Sequence, residues 1–340
     1  MRPKLLEIAI EESLKTKVPL MIWGPPGIGK SKIISQVVEK VGYTLIDVRL
    51  ATLDPVDLRG LPVDVGGFLR WLKPSFFPTT DKTVILFDEF SQARPEIQGA
   101  SLQAVYDYQF GDHKLPEDTR IILAGNRTTD RTGANRMISA MKNRVVHITA
   151  ESHYEDWIEY ATSKGTWDSV LGYINFAPQH LSTFDPSKEQ ECFASPRSWE
   201  MLSSYKNAPL SVLPSIVSGL VGKEIAPAFL AFHRLLNEIN FNDIMANPDT
   251  CVLPKKQDAR YALMAGFSSR VNKDCKQYAI PATKIALRYA QEGCNEMSVA
   301  SIRSYQTSDK EYQKIALLKV PEFVNWLQAN SSFVKSVCTI

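Results

Sequence analysis

Apolar residues along this chain fall into two regimes. Before about Thr149 they come in short, nearly unbroken runs of strand length: Leu20-Met21-Ile22-Trp23, Val84-Ile85-Leu86-Phe87, Ile121-Ile122-Leu123-Ala124 and Val145-Val146-His147-Ile148. Runs that are apolar on both faces suit a parallel sheet covered by helices on either side. Between the first two, Lys32 to Val38 places apolar residues at helical spacing. After Thr149 the spacing is helical throughout: Trp157, Ile158, Tyr160 and Ala161 share one segment, and Val170, Leu171, Tyr173 and Ile174 another. Phe176-Ala177-Pro178-Gln179 and Phe184-Asp185-Pro186-Ser187 interrupt this pattern, and Pro196 suits the first turn of the next helix. Leu210 to Leu236 supplies two more helices, and Ala259 to Phe267, Ala279 to Gln291 and Glu311 to Ala329 read as helical. The expected fold is therefore α/β, with a parallel sheet over residues 1–150, a helical region over 151–237 and a helical extension over 238–340.

The junction after the first strand carries the clearest chemistry. Gly24, Gly29, Lys30 and Ser31 satisfy G-x-x-x-x-G-K-[ST], the phosphate-binding P-loop pattern, between a strand and a helix. Helix N-terminal N–H groups and the positive end of the helix dipole favour a phosphate chain there. Gly27 and Gly29 allow close backbone approach, so Gly24, Pro25, Pro26, Gly27, Ile28, Gly29, Lys30, Ser31 and Lys32 form the expected nucleotide-binding stretch. Lys30 is expected to reach the β and γ phosphates of ATP, and the Ser31 hydroxyl to ligate Mg²⁺. A dinucleotide fingerprint is disfavoured, because Gly27-x-Gly29 lacks the third glycine of that motif.

A second strand ends in Asp88-Glu89 and a third in Gly125-Asn126. At the carboxyl edge of a parallel sheet these residues emerge beside the P-loop. Asp88 is the expected metal-holding carboxylate, Glu89 the group that polarises the attacking water, and Asn126 a second orienter of that water.

Composition adds little to this picture. With 44% hydrophobic and 22% charged residues and a net charge of +2, the chain reads as an ordinary globular protein with no electrostatic mandate for nucleic acid or anionic membrane. No apolar run reaches membrane-spanning length, and Met1-Arg2-Pro3-Lys4 leads into Glu7, Glu11 and Glu12 where a signal peptide would have an apolar core, so a cytoplasmic location is expected. Cys192, Cys251, Cys275, Cys294 and Cys338 are scattered, show no C-x-x-C spacing and are expected to be reduced thiols; the five histidines complete no zinc pattern.

Taken in order, GPPGIGKS, ILFDE, ILAGN and an Asn-Arg pair before the last strand resemble the AAA+ ATPases. The segment ending in Asn143-Arg144, the stretch DPVDLRGLP and Ser195-Pro196-Arg197-Ser198-Trp199 look most like the MoxR-type branch. The resemblance covers roughly residues 1–235. It implies Asn126 as sensor 1, Arg144 as an arginine finger acting on the neighbouring subunit's nucleotide, with Arg136 as a second candidate, and Arg197 as sensor 2 on a helical lid. It also implies a homo-oligomeric ring, expected to be a hexamer, that uses ATP and Mg²⁺ to remodel a partner protein such as one with a von Willebrand factor A domain. Two other readings stay open at this point: a nucleic-acid-directed AAA+ motor, helicase-like or restriction-associated, and a nucleotide-gated binding module with little turnover.

Two stretches read as hairpins inserted in the core. One turns at Gly66-Gly67 with Phe68 and Trp71 on its return strand, and the other spans Tyr108 to Pro116. The first is the expected working surface, since the related ATPases carry an insert there that faces the pore or partner.

Overall fold

The computed structural model describes residues 1–130, 133–306 and 310–330, and its chain divides into two compact units. Met1–His153 with Phe184–Gln190 form the first, Tyr154–Thr183 with Glu191–Ile340 the second. Cys338, and Arg131 and Thr132 of the polar loop before Arg136, lie outside the described residues.

In the first unit, helix α1 (Pro3–Leu14) leads into strand β1 (Leu20–Trp23), helix α2 (Lys30–Val41) and strand β2 (Thr44–Arg49). A short helix α3 (Pro55–Arg59) and the hairpin of β3 (Pro62–Val65) and β4 (Phe68–Trp71) precede β5 (Thr83–Asp88). Helix α4 (Pro95–Asp107), a second hairpin of β6 (Gln109–Phe110) and β7 (His113–Lys114), β8 (Thr119–Gly125), α5 (Ser139–Lys142) and β9 (Val146–Thr149) complete it. Five strands form one parallel sheet in the order β2-β5-β8-β1-β9.

Period-2 alternation sends alternate residues of the inner strands to opposite faces, and both faces are buried. Leu20 and Ile22 of β1, Val84 and Leu86 of β5, and Ile122 and Ala124 of β8 pack with Leu6, Ile10 and Leu14 of α1 and Ile34, Val37 and Val38 of α2. Met21, Ile85, Phe87, Ile121 and Leu123 face the other way, against Ile97, Ala100, Ala104 and Val105 of α4 and Phe110 of the second hairpin. The runs of β1, β5 and β8 thus form strands buried on both faces, as their composition predicts, whereas the fourth run, in β9, lies at the edge of the sheet and is largely exposed. Strand β2 was not legible in the same way. It lies at the edge of the sheet and is only partly covered, so its sequence Thr44-Leu45-Ile46-Asp47-Val48-Arg49 is mixed. Helices α1 and α4, both opened by proline, also went unpredicted.

The second unit is helical. Helices α6 (Tyr154–Ser163), α7 (Asp168–Phe176), α8 (Pro196–Ser203), α9 (Leu213–Val221) and α10 (Ala226–Glu238) close around Tyr173, whose ring meets Phe176, Trp199, Phe229 and Phe232. Then follow α11 (Phe241–Ala246), α12 (Gln257–Lys273), α13 (Cys275–Gln291), α14 (Asn295–Gln306), α15 (Lys310–Lys319) and α16 (Pro321–Ala329). A second apolar cluster here includes Phe267, Ile285, Tyr305, Tyr312 and Phe323. The helical stretch at 311–329 is two helices broken at Pro321, because Val320 before it takes an extended φ of −128° and ψ of 86°. Helix α13 starts four residues before the expected Ala279, capped by the Asp274 carboxylate accepting from Gln277 N–H at 3.1 Å, and it runs through Pro281. No described helix is long and apolar enough to cross a membrane.

His233 of α10 is buried, held by Ser169 at 2.8 Å and Asn237 at 3.1 Å and stacked on Phe229. Burial pushes its pKa down, and the same holds for His180, which bonds the Tyr173 hydroxyl at 2.7 Å. Both rings take a proton more readily in the unfolded chain, near its ordinary value of about 6.5, so stability is intact above that pH and falls as the pH drops below it. Denaturant midpoints at pH 7.5 and pH 5.0 check this: the acid midpoint should be lower, and His233→Gln should narrow the gap. An unchanged gap would assign the pH dependence to other groups.

Candidate functional site

Strand β1 ends at Trp23, and the loop that follows is shaped by its glycines. A Cβ on Gly24 would come within 2.7 Å of Ile28 Cδ1 and 2.9 Å of the Ala150 carbonyl, so no side chain fits. Gly27 and Gly29 take left-handed φ angles of 77° and 95°. Gly29 caps α2 with no side chain, and a Cβ there would meet nothing within 4 Å. The open N-terminal turn of α2 is therefore a cradle of backbone, closed at its first bond by Ile33 N–H to Gly29 O at 2.9 Å. Pro25 and Pro26 are half-buried in the loop, Ile28 is anchored in the core, and Lys32 is exposed on the helix.

Lys30 Nζ donates to the carbonyls of Gly24 at 2.8 Å and Pro25 at 3.0 Å, and to Asn126 Oδ1 at 2.9 Å. The lysine ammonium therefore links the loop after β1 to the residue after β8, strands that are direct neighbours. Ser31 Oγ donates to Asp88 Oδ2 at 2.5 Å, and Asp88 Oδ1 accepts from Glu89 N–H at 2.8 Å. Glu89 takes a left-handed φ of 55° with ψ of 29°, a conformation uncommon for a residue with a side chain, and turns the chain from β5 into a 3₁₀ turn over Phe90–Gln92. Lys30 with Asn126, and Ser31 with Asp88 and Glu89, all named from sequence, thus form a cluster of two hydrogen-bonded sets at the carboxyl edge of the sheet, joined through the chain at Lys30-Ser31.

Two contributors were missed by the sequence reading. Ser91 is fully buried: its Oγ accepts from Asn126 N–H at 2.8 Å, and its carbonyl accepts from Asn135 N–H at 2.5 Å. A serine behind a Walker-like Asp-Glu pair has no motif of its own. Asp47 of β2, paired at Leu86 with β5, has its carboxyl pushed up by desolvation and then by the neighbouring Asp88 carboxylate. Its position on an unpredicted edge strand hid it.

Arg144 and Arg127 are held by partners outside that cluster. Arg144 Nη1 donates to the Ala140 carbonyl at 2.9 Å, and its guanidinium lies 4.3 Å from the centre of the Tyr106 ring. Arg136 is exposed, while Arg127 is committed to the buried Asp130 carboxylate at 2.8 Å. Arg197 is exposed at the second position of α8 in the helical unit, a helix capped by the Ser195 hydroxyl accepting from Ser198 N–H at 3.2 Å. Among the described residues no group of three or more His, Cys, Asp or Glu side chains could hold a metal by itself. The hard oxygen pair Ser31 and Asp88 still fits Mg²⁺, which in nucleotide sites takes one or two protein oxygens and completes its shell with phosphate and water.

Residues 20–147 match the ATPase family associated with various cellular activities (AAA). This segment has the P-loop NTPase fold of that family. Over 178 residues, 48% of this chain, the protein is 25% identical to Midasin from Giardia intestinalis, a match that spans 4% of that protein's length. Among solved structures, NtrX from Brucella abortus in complex with ATP is similar at 15% identity with a TM-score of 0.41, covering 86% of this chain and 67% of that one. A putative ATPase from Cytophaga hutchinsonii is similar at 13% identity with a TM-score of 0.35, covering 79% and 74%. The five-stranded parallel sheet, with the P-loop after β1, gives the segment its P-loop NTPase fold, and helices continue after it.

Within this segment, Ser91 ties the end of β8 to the loop before Arg136. Removing its hydroxyl leaves the buried Asn126 N–H without a partner, a loss of about 1–3 kcal/mol. Ser91→Ala should therefore unfold at lower denaturant concentration than the parent by that amount, with Ser91→Thr tested beside it. An unshifted midpoint for the alanine variant would show that the bond carries no net stability.

Proposed function

We propose that this chain is a magnesium-dependent ATPase that works as a homo-oligomeric ring, in the manner of the MoxR-type branch, to remodel a partner protein. The observation that carries the reading is the convergence of Lys30 on Asn126 at 2.9 Å and of Ser31 on Asp88 at 2.5 Å, on adjoining strand ends.

In this reading the ammonium of Lys30 and the first turn of α2 take up the negative charge of the β and γ phosphates. Ser31 and Asp88 would hold Mg²⁺, which when bound neutralises charge on the phosphate oxygens. Glu89 accepts a proton from the attacking water as the water oxygen bonds to the γ phosphorus. The bond from that phosphorus to the bridging oxygen breaks, and its electron pair leaves with ADP. Asn126, buried and held through its backbone by Ser91, keeps that water in line. Arg144 acts on the nucleotide of the adjoining subunit, and Arg197 contacts the nucleotide from the lid. Contacts of the finger kind raise rates by about 10³ to 10⁵ in other nucleotide hydrolases.

The first hairpin is the proposed client contact. Gly66 and Gly67, with φ of 67° and 85°, form its two-residue turn, and Val65 pairs with Phe68 beside it. Phe68 is 73% exposed, Leu69 64% and Val65 56%, so apolar side chains project from both faces of the tip. The base is fixed: Trp71 O bonds His113 Nε2 of the second hairpin at 2.7 Å, and Gly60 packs on the Leu72 carbonyl too closely for any Cβ. An exposed apolar tip on an anchored stem suits capture of a protein segment.

Steady-state turnover with nucleotide binding measured in parallel tests the chemistry. Lys30→Ala should lose ATP binding, and Glu89→Gln should keep it while turnover falls by about 10² or more; full activity in Glu89→Gln would sink the assignment of the base. Trans action has its own signature. Lys30→Ala, inactive alone, and Arg144→Ala, slowed to a measurable residual rate, should regain turnover when mixed, because some interfaces then pair an intact Lys30 with an intact Arg144. For the hairpin, Phe68→Ala with Arg70→Ala should leave assembly and basal hydrolysis unchanged while abolishing client stimulation, and unaltered client remodelling would exclude the tip as the contact. DNA-stimulated turnover that falls steeply with salt would favour the nucleic-acid motor instead, because phosphate contacts release counterions.

A further inference from the structure

The geometry points to Tyr106 as a positioning residue for Arg144: its exposed ring holds the guanidinium in the orientation from which it reaches the adjoining subunit's nucleotide. This inference rests on the finger reading of Arg144 given above.

Arg144 grows from a segment pinned on both sides. Before it, Asn135 N–H donates to the Ser91 carbonyl at 2.5 Å, Asn135 Nδ2 to the Ala93 carbonyl at 3.1 Å, and Ile138 N–H to Oε1 of the buried Gln98 at 3.1 Å. After it, Trp23 Nε1 donates to His147 Nδ1 at 2.9 Å, which leaves the His147 Nε2 proton for the Lys142 carbonyl, also at 2.9 Å. The backbone is thus placed, and only the long side chain has freedom. Arginine carries up to about 2 kcal/mol of rotamer entropy, so an untethered finger spends most of its time misaligned.

Tyr106 removes that freedom. It sits one residue before the end of α4, is 61% exposed, and faces Arg144 at 4.3 Å from ring centre to guanidinium carbon. The Ala140 carbonyl takes one N–H of the fork, and among the described residues no carboxylate pairs with it. A ring attracts a cation through its quadrupole without neutralising its charge, unlike an Asp or Glu. The guanidinium is therefore held but remains a full cation for an incoming phosphate. Arg127, locked to Asp130, shows the alternative that would disable a finger.

The test is turnover of the assembled protein with ATP, at saturating and limiting concentrations. Tyr106→Ala should lower kcat by about two- to five-fold, the range an exposed cation–π contact sustains, with KM for ATP and assembly unchanged. Tyr106→Phe should restore kcat, because the ring face is retained. In an Arg144→Ala background Tyr106→Ala should have no further effect. Wild-type kcat in Tyr106→Ala beside a collapsed Arg144→Ala would overturn the positioning role and leave the finger standing. An equal loss from Tyr106→Ala in both backgrounds would overturn it as well, by showing a structural effect independent of Arg144. Full activity in Arg144→Ala would instead remove the finger reading itself.

Discussion

The structure depends on one constraint: strands β1, β5 and β8 lie inside a parallel sheet whose two faces are both covered by apolar packing. No polar side chain can leave such a strand sideways without losing its solvation. Chemistry is pushed to the strand ends, and parallel pairing brings the carboxyl ends of neighbours to the same edge. Trp23 is paired with Gly125, and Phe87 with Leu123, so the loop after β1, Asp88-Glu89 and Asn126 emerge side by side. The Lys30–Asn126 and Ser31–Asp88 bonds are the result of that register.

Behind this edge Thr119 Oγ1 is buried without a hydrogen-bond partner, whereas the buried side chains of Ser91 and Gln98 are satisfied and have a common use. Ser91 and Gln98 each bind the backbone of two segments, Ser91 joining Asn126 to Asn135 and Gln98 joining Ala93 to Ile138. A half-satisfied buried network would destabilise the fold, whereas these bonds fix the loop leading to Arg144 against the turn that follows Glu89. Asn126, the turn after Glu89 and the loop leading to Arg144 are therefore tied to one frame.

The hairpins follow a different logic. Their stems are held by close backbone approach, at Gly60 against Leu72 and at Gly111, whose missing Cβ would stand 3.1 Å from Trp71. The tip of the first one has no core of its own, and it spreads Val65, Phe68 and Leu69 toward solvent. An anchored base sets this exposed apolar tip apart from the strand-end edge that carries Lys30 and Asp88.

By itself the sequence determined the features that depend on local pattern: the P-loop between a strand and a helix, Asp88-Glu89 and Asn126 at strand ends, the glycine turn of the first hairpin, and the change to helical spacing after Thr149. Each is legible because backbone geometry over a few residues demands particular residue types, such as glycine at positive φ or apolar runs in a doubly buried strand. Edge strand β2 escaped, since its half-covered sequence mixes polar and apolar residues, and so did the helical break at Pro321 within a stretch of helical spacing. Only the tertiary structure decided the contacts of Ser91, Gln98 and Tyr106. Their partners are contributed by other elements of the chain, and a buried hydroxyl, a buried amide and an exposed ring acquire their meaning from what the fold places opposite them.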